Sequence, residues 1–169
     1  MSHPHKPTPV EKIELPEDPR KEWSEEDIEI EGRKPDLEET EEQASRTARR
    51  LYDATGISPS DVDIENAYDG FSLFHVFWIE GFNFFGIQRG ECLDFFNSED
   101  ISINGPTPIS PSGGNIGSGR TRFWLWTDTI QQLQGRAGER QVKIDAHLGV
   151  CGGFTPHWAN FAALSKDPE

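Results

Sequence analysis

The stretch Ile57-Ser-Pro-Ser-Asp-Val-Asp-Ile-Glu-Asn-Ala-Tyr-Asp-Gly-Phe71 combines a turn, a short strand and the beginning of a helix. Its first residues are small, polar or proline, which is typical of a turn. Val62, Ile64 and Ala67 follow and predict a short strand whose apolar side chains enter the core. The strand is expected to end at Tyr68-Asp69-Gly70-Phe71, where the next helix begins.

Helices are predicted on both sides of this strand. Residues 38–55 are rich in good helix formers, and Gly56 follows at the position of a C-terminal stop. The aromatic run 71–85 is apolar on nearly every side and predicts a buried helix. An amphipathic helix is predicted from Arg120 to Gln134, ending at Gly135.

The other segments predict loops and two further strands. Residues 94–111 are expected to form a loop with a short strand at 101–103. Alternation over 141–149 predicts a half-buried strand, followed by a turn at Gly152-Gly153 and a returning strand at 158–164. This order of elements predicts an α/β fold with a C-terminal β-hairpin.

Charge and composition exclude several classes of function. The chain has 30 acidic and 16 basic residues and a net charge of −14, which argues against binding nucleic acid or an anionic membrane. No apolar run is long enough to span a bilayer, and the first residues lack the pattern of a secretory signal. Two cysteines are too few for a disulfide framework or a four-thiolate zinc site, so no metal is expected. A cytoplasmic location is expected.

The N-terminal quarter differs from the rest of the chain. Residues 1–43 carry a net charge of −9, with six prolines and one aromatic residue. Such a segment cannot bury enough apolar surface to offset its ordering entropy. We therefore expect residues 1–39 to be disordered or bound along a partner, either as a solvated tail or as an acidic interaction segment. Residues 40–169 are expected to form the folded domain.

Two segments are candidates for chemistry. The glycine-rich segment Ser112-Gly-Gly-Asn-Ile-Gly-Ser-Gly119 precedes a helix, so its amides are suited to an anion, although a structural turn fits equally. Arg120 adds a positive charge there or is merely solvated. Tyr68 at the strand end is suited to proton transfer, with Asp69 as its orienting group. In the alternative, Asp69 caps a helix and Tyr68 packs.

Three other residues have weaker signals. Cys151 lies next to Gly152-Gly153 and is either a reactive thiol at a hairpin turn or, more commonly, inert packing. His75 is expected to be a satisfied core or interface residue. His147 alternates with core positions and is expected to face solvent.

Taken in order, these motifs resemble the C-terminal half of thiolase-fold proteins. They are the segment 58–71, the glycine-rich segment with Arg120, Gln134-Gly-Arg-Ala-Gly-Glu-Arg-Gln-Val142, and Gly149-Val-Cys-Gly-Gly153. The resembled branch contains the sterol-carrier-protein-x and lipid-transfer-protein-like thiolases, including aldolases of steroid side-chain breakdown. The resemblance covers residues 40–166 and implies one half of a thiolase-like fold, with a mixed sheet, helices and a C-terminal β-hairpin.

The resemblance also assigns roles to individual residues. Tyr68-Asp69-Gly70-Phe71 is similar to the Tyr-Asp-x-Phe motif of the aldolase-like branch, which implies that Tyr68 transfers protons in retro-aldol cleavage of a β-hydroxyacyl-CoA. Arg120 replaces the histidine of a Gly-His-Pro motif and, with Ser112, Gly113, Gly114, Asn115 and Gly119, is expected to contact the thioester. The acid/base cysteine of thiolases falls on Gly149, so Cys151 is not expected to replace it.

The nucleophilic cysteine of thiolases belongs to the N-terminal half of that fold, which the resemblance does not cover. We therefore expect this chain to act with another polypeptide in carbon–carbon bond cleavage or acyl transfer on an acyl-CoA. No covalently bound cofactor is expected, and the partners implied are another thiolase-like chain or a second copy, and a zinc-containing OB-fold protein. The alternatives are a non-catalytic scaffold or CoA-thioester-binding subunit, and an inactive remnant.

Overall fold

The computed structural model describes residues 36–119, 122–154 and 159–167. This part of the chain contains five α-helices and three β-strands. They are α1 (Leu37–Thr55), β1 (Ile64–Ala67), α2 (Ser72–Phe82), α3 (Cys92–Ser98), α4 (Gly114–Ser118), α5 (Arg122–Leu133), β2 (Leu148–Gly152) and β3 (Phe161–Ser165). Nearly all of the predicted acidic segment 1–39 lies outside the described residues, and so do Arg120 and Trp158.

The strands form one mixed sheet in the order β1-β2-β3. β1 and β2 are parallel, with Ile64 opposite Gly149, and β2 and β3 are antiparallel, with Gly149 opposite Leu164. The predicted α/β class, mixed sheet and C-terminal hairpin are therefore confirmed.

Helix α1 has the predicted end signals. The Asp36 side chain accepts a hydrogen bond from the Glu39 amide, and Glu39 reciprocates in a capping box. At the other end, Gly56 adopts the left-handed conformation with φ of 73°, which glycine tolerates best. Ala44 and Ala48 of the predicted stripe are buried against the core.

Helix α2 confirms the buried aromatic helix only for its second half. Trp78, Ile79 and Phe82 have no exposed surface, whereas Phe71 and Leu73 at its beginning are 46% and 48% exposed. The beginning of the helix thus lies near solvent, while its second half lies in the core. The apolar character of the run therefore does not mark a uniformly buried helix.

The two faces of the sheet have different neighbours. One core cluster joins Val150 of β2 to Trp78 of α2, while a second joins Ile64 of β1 to Leu133 of α5. Because successive strand residues point to opposite faces, Glu65 faces α2 and Asn66 faces α5. Both side chains are polar and fully buried, which requires hydrogen-bond partners on each face.

Four local predictions were wrong. Helix α3 lies where only a loop was expected, and residues 101–103 form no strand, whereas Ile109 bridges to Glu65. Strand β2 begins at Leu148 rather than near 141, because the Val142 amide donates to the Gln132 side chain and the Lys143 amide to the Ile103 carbonyl. The glycine-rich segment contains the short helix α4 rather than only a loop.

Candidate functional site

Tyr68 lies at the carboxyl end of β1, as the sequence predicted. Its amide donates to the Gly152 carbonyl at 2.9 Å, so the residue is anchored to the end of β2. The side chain is fully buried, and its phenol oxygen has no hydrogen-bond partner among the described residues. Phe154 meets the ring edge-on at a centroid distance of 5.4 Å. A methyl group at Gly70 would overlap the phenol oxygen, so a side chain at this position would require the ring of Tyr68 to move.

Asp69 connects the end of β1 to the glycine-rich segment. Its carboxylate accepts hydrogen bonds from the amide of Asn115 at 2.5 Å and the amide of Ile116 at 3.4 Å. Asn115 adds a side-chain hydrogen bond at 3.1 Å. Asp69 does not hydrogen-bond to the phenol of Tyr68, which has no partner, so the expected direct orienting contact is absent. The carboxylate caps α4 instead of α2.

The glycine-rich segment is tightly held from within the chain. Ser112 is buried, its side chain accepts from the Gly114 amide at 3.1 Å, and the Gly113 amide donates to the Ser110 carbonyl. With Asn115 and Ile116 bound to Asp69, these amides point at protein acceptors rather than at an open anion site. Their expected role in substrate binding stays a prediction.

Gly114 and Asn115 are thus brought next to Asp69, and Ser112 binds the Gly114 amide, while Gly113 and Gly119 are exposed. The side-chain oxygen Oδ1 of Asn115 is buried and has no hydrogen-bond partner among the described residues. Together with the phenol of Tyr68, it gives the region two buried, unpartnered polar atoms.

A buried cluster that the sequence analysis did not find lies beneath this segment. Nε2 of His75 lies 3.2 Å from both carboxylate oxygens of Glu65 and 3.4 Å from the hydroxyl of Ser110. Burial lowers the pKa of His75, but the charge and hydrogen bond of Glu65 and the charge of Asp69 outweigh it, so the pKa is raised. His75 is therefore the satisfied core residue expected. The only indication of the His75–Glu65 pair in the sequence was the charged residue Glu65 inside a strand that was predicted to enter the core.

A second polar network joins β1 to α5. The Asn66 side chain donates to Asp128 and to Thr129, and all three residues are fully buried. Arg140 forms an ion pair with Asp128, and its guanidinium lies 4.6 Å from the ring centre of Trp124. Arg140 comes from the third motif quoted for the resemblance, which assigned it no role.

Residues 28–162 match the family described as thiolase C-terminal domain-like. The chain belongs to this family. Over 118 residues the thiolase-like domain is 31% identical to sterol carrier protein 2 of Oryctolagus cuniculus, covering 64% of this chain and 21% of that protein. Over 108 residues it is 31% identical to the 17-hydroxy-3-oxo-4-pregnene-20-carboxyl-CoA lyase of Mycobacterium tuberculosis, covering 60% and 28%.

The fold of the thiolase-like domain is also found in a solved structure, the Ltp2-ChsH2(DUF35) aldolase. The TM-score is 0.64 with 20% identity, over 75% of this chain and 32% of that chain. The domain therefore spans between a fifth and a third of the length of the proteins it matches.

Gly149, to which the resemblance assigns the position of the acid/base cysteine, is closely packed against Thr129. A methyl group at Gly149 would lie 2.5 Å from the methyl carbon of Thr129. Cys151 lies inside β2 rather than at the hairpin turn. Burial raises its pKa to about 11 despite a hydrogen bond with Thr129, and burial raises the pKa of Cys92 to about 12. Both thiols are poor nucleophiles.

Among residues 36–119, 122–154 and 159–167, no helix is long and apolar enough to cross a bilayer. No group of three or more potential metal ligands comes together in the same residues. His147 is exposed as predicted, and it contacts Asp145 and Asp167.

Proposed function

We propose that this thiolase-like domain, together with a second thiolase-like chain, forms an enzyme that cleaves a carbon–carbon bond of a β-hydroxyacyl-CoA by a retro-aldol reaction. The observation that carries the proposal is the buried phenol of Tyr68, which has no hydrogen-bond partner in the described part of the chain and lies at the carboxyl end of β1. An unsatisfied buried hydroxyl is costly unless a substrate or water meets it. The names of the relatives, a CoA lyase and an aldolase, support the reaction class.

The state of the cysteines favours retro-aldol cleavage over thiolysis. Thiolysis of a β-ketoacyl-CoA needs a nucleophilic thiol and a second thiol for acid/base work. Thr129 fills the space at Gly149, and Cys151 is buried with a raised pKa. Within the described residues of the four motifs, the phenol of Tyr68 lies at the strand end and has no hydrogen-bond partner.

In the proposed reaction, the β-hydroxyl group of the substrate loses its proton as the Cα–Cβ bond breaks. The hydroxyl carbon becomes the carbonyl of the leaving aldehyde or ketone, and the electron pair of the broken bond forms a thioester enolate. Tyr68 shuttles the proton, so that the α-carbon of the enolate is protonated and an acyl-CoA is released. No net oxidation occurs.

Arg120 is the proposed contact for the enolate oxygen. A guanidinium stabilises an oxyanion by charge and hydrogen bonds but does not serve as an ordinary base. The amides of Gly113, Gly114, Asn115 and Ile116 donate within the chain, so we propose that these hydrogen bonds hold the shape of the site. Oδ1 of Asn115 is the proposed acceptor for a polar substrate group.

Exposed apolar side chains on α5 favour the proposal that a partner chain binds this helix. Phe123 and Ile130, seven residues apart on this helix, are 80% and 43% exposed. Residues at this spacing lie on one side of a helix, so they form an apolar strip. The matched part of this chain spans between a fifth and a third of the length of its relatives, and we propose that a second thiolase-like chain, or a second copy, covers the strip. A ChsH2-like component, as in the matched aldolase, is a further proposed partner.

A non-catalytic scaffold or thioester-binding subunit is the second candidate. It is favoured by the complete burial of Tyr68, since a catalytic phenol must meet its substrate. In this case the polar contacts of Asp69 only stabilise the domain.

The deciding experiment uses the complex captured with the full chain from its source cells, identified by native mass spectrometry. The complex is assayed with β-hydroxyacyl-CoA esters, and Tyr68→Phe is compared with Tyr52→Phe. Tyr52 of α1 donates to the carbonyl of Phe82, the last residue of α2, at 2.7 Å. The helix α2 begins after Tyr68, so this contact is at the opposite end of α2, and Tyr52→Phe is the matched control. We expect Tyr68→Phe to lower turnover at least 100-fold with assembly intact, and Tyr52→Phe to leave turnover unchanged. Retained turnover in Tyr68→Phe refutes its catalytic role, and a chain without any partner refutes the split enzyme.

A further inference from the structure

Both backbone polar groups of Ser112 are held by side chains from other elements. Oδ1 of Asn66 accepts the Ser112 amide proton at 3.2 Å, and the indole of Trp124 donates to the Ser112 carbonyl at 2.9 Å. Ser112 is 4% exposed, so water does not compete with these contacts. The placement of the first residue of the glycine-rich segment therefore depends on how Asn66 and Trp124 are oriented.

Asn66, through Asp128, and Trp124, directly, are both connected to the guanidinium of Arg140. Asn66 donates to one carboxylate oxygen of Asp128 at 3.2 Å, and Arg140 forms an ion pair with the other. Arg140 also lies over the ring of Trp124, at 4.6 Å from its centre, and donates to the Gln131 side chain at 2.9 Å. Arg140 thus contacts Asp128, which binds Asn66, and it also contacts Trp124. Asn66 and Trp124 in turn bind the amide and the carbonyl of Ser112.

The chemistry of each contact requires an arginine. Asp128 is fully buried, and a buried carboxylate without a paired cation carries a large desolvation penalty. The planar guanidinium stacks on an indole face while its N–H groups point to acceptors in the plane. The ammonium group of lysine neutralises Asp128 but cannot make these contacts at once.

We propose that Arg140 is a positioning residue for the segment 112–115. It acts on the Ser112 amide through Asp128 and Asn66, and on the Ser112 carbonyl through Trp124. The proposal rests on the proposed function only for the importance of this segment, because the contacts hold whether or not a thioester binds there.

The test compares Arg140→Lys with the wild-type full chain by amide hydrogen exchange. Arg136→Lys is the matched control, because Arg136 is an exposed arginine four residues earlier. In Arg140→Lys we expect the amides of Ser112 and Gly114 to exchange at least tenfold faster, and the indole N–H resonance of Trp124 to shift. The Asp63 amide, which donates to the Leu148 carbonyl in the sheet, is expected to keep its exchange rate. Arg136→Lys is expected to change none of these signals.

Two results would overturn the positioning role. Unchanged exchange at Ser112 and Gly114 would show that Arg140 does not act on the segment. Equal acceleration at Asp63 would show a general loss of stability. If Arg140→Lys does not fold, Trp124→Phe is measured against Trp126→Phe, and unchanged exchange at Ser112 again overturns the proposal. No substrate enters these measurements, so a failure of the proposed retro-aldol function is recognised separately, by retained turnover in Tyr68→Phe.

Discussion

Asn115 donates two hydrogen bonds to the same carboxylate oxygen of Asp69, from its amide at 2.5 Å and from its side chain at 3.1 Å. The two residues are 46 positions apart in the chain. Charge-assisted hydrogen bonds of this kind are short and strong. The distance between the end of β1 and helix α4 is therefore set by a carboxylate, which also fixes the direction of the unpartnered Oδ1 of Asn115.

The close approach of Asp69 to α4 predicts different effects at two neighbouring glycines. Gly113 and Gly114 both have positive φ, at 82° and 58°, so alanine at either position is strained by roughly 1–2 kcal/mol. Only at Gly114 would a methyl group also overlap the carboxylate of Asp69, since the position at Gly113 is open. We expect Gly114→Ala to lower the free energy of unfolding by about 1–3 kcal/mol more than Gly113→Ala in urea denaturation. Equal losses would show that Asp69 moves freely.

The contact between Gly149 and Thr129 predicts a coupled pair of substitutions. Gly149→Ala is expected to cost about 1–3 kcal/mol, because the new methyl lies 2.5 Å from the Thr129 methyl. Thr129→Ser removes that methyl and keeps the hydroxyl, which donates to the Leu125 carbonyl. We expect the double variant to recover at least 1 kcal/mol relative to additivity in a double-mutant cycle.

Thr127→Ser is the matched control for this cycle, because Thr127 lies on the same helix and also donates to a carbonyl, that of Phe123. It should combine additively with Gly149→Ala. Additivity in the Thr129 cycle as well would mean that the sheet shifts to admit a side chain at Gly149, so that a cysteine would fit there.

The burial of both thiols predicts that the native chain resists thiol reagents. The pKa values of about 12 for Cys92 and about 11 for Cys151 lie well above the usual value near 8.5. We expect neither to react with a chromogenic disulfide at pH 8 until denaturant is added, when two thiols appear. The variant Ser60→Cys, at an exposed position, should react at once and serves as the positive control. Rapid reaction of Cys151 in the native wild-type chain would contradict its assignment as packing.

The pairing of His75 with Glu65 predicts a loss of stability at alkaline pH. The pKa of His75 is raised in the folded state, so its stabilising effect is complete below the unfolded value of about 6.5. The effect is lost as the pH rises through the folded pKa. We expect the urea midpoint of the wild-type chain to fall between pH 6 and pH 8.5, and to fall less in His75→Gln.

His147→Gln is the control for this pH dependence. The pKa of His147 is also raised, first by its hydrogen bond to Asp167, but the side chain is exposed, so solvent screens its contribution. We expect this variant to retain the wild-type dependence. If His75→Gln retains it too, the buried pair does not couple folding to protonation.

The elements that were predicted correctly are those determined by residues close together in the sequence. The helix stop at Gly56, the apolar positions of β1 and the terminal hairpin are of this kind, and all were found in the structure. The placement of Tyr68 and Asp69 at a strand-to-helix junction follows from the same pattern. Their resemblance to a family motif added a reaction class that no spacing could have supplied.

Contacts between distant residues could not be predicted in this way. The alternating residues 141–147 do not form a strand, because Gln132 and Ile103 take the backbone groups that a neighbouring strand would need. The partner of Asp69 proved to be the amides of α4 and not Tyr68. Likewise, nothing in the order of residues indicated that Arg140 contacts both Asp128 and Trp124.

The parallel pairing of β1 with β2 has a consequence for folding kinetics. The Leu148 amide meets the Asp63 carboxylate across 85 positions of chain, and helices α2 to α5 all lie between them. Such pairing closes a long loop before it gains any hydrogen bond, which makes folding slow and concentrates it in one cooperative step. Tyr68, Asp69 and the glycine-rich segment are therefore assembled only when the sheet is. A shorter fragment that carries the motifs but lacks β2 is expected to have no site at all.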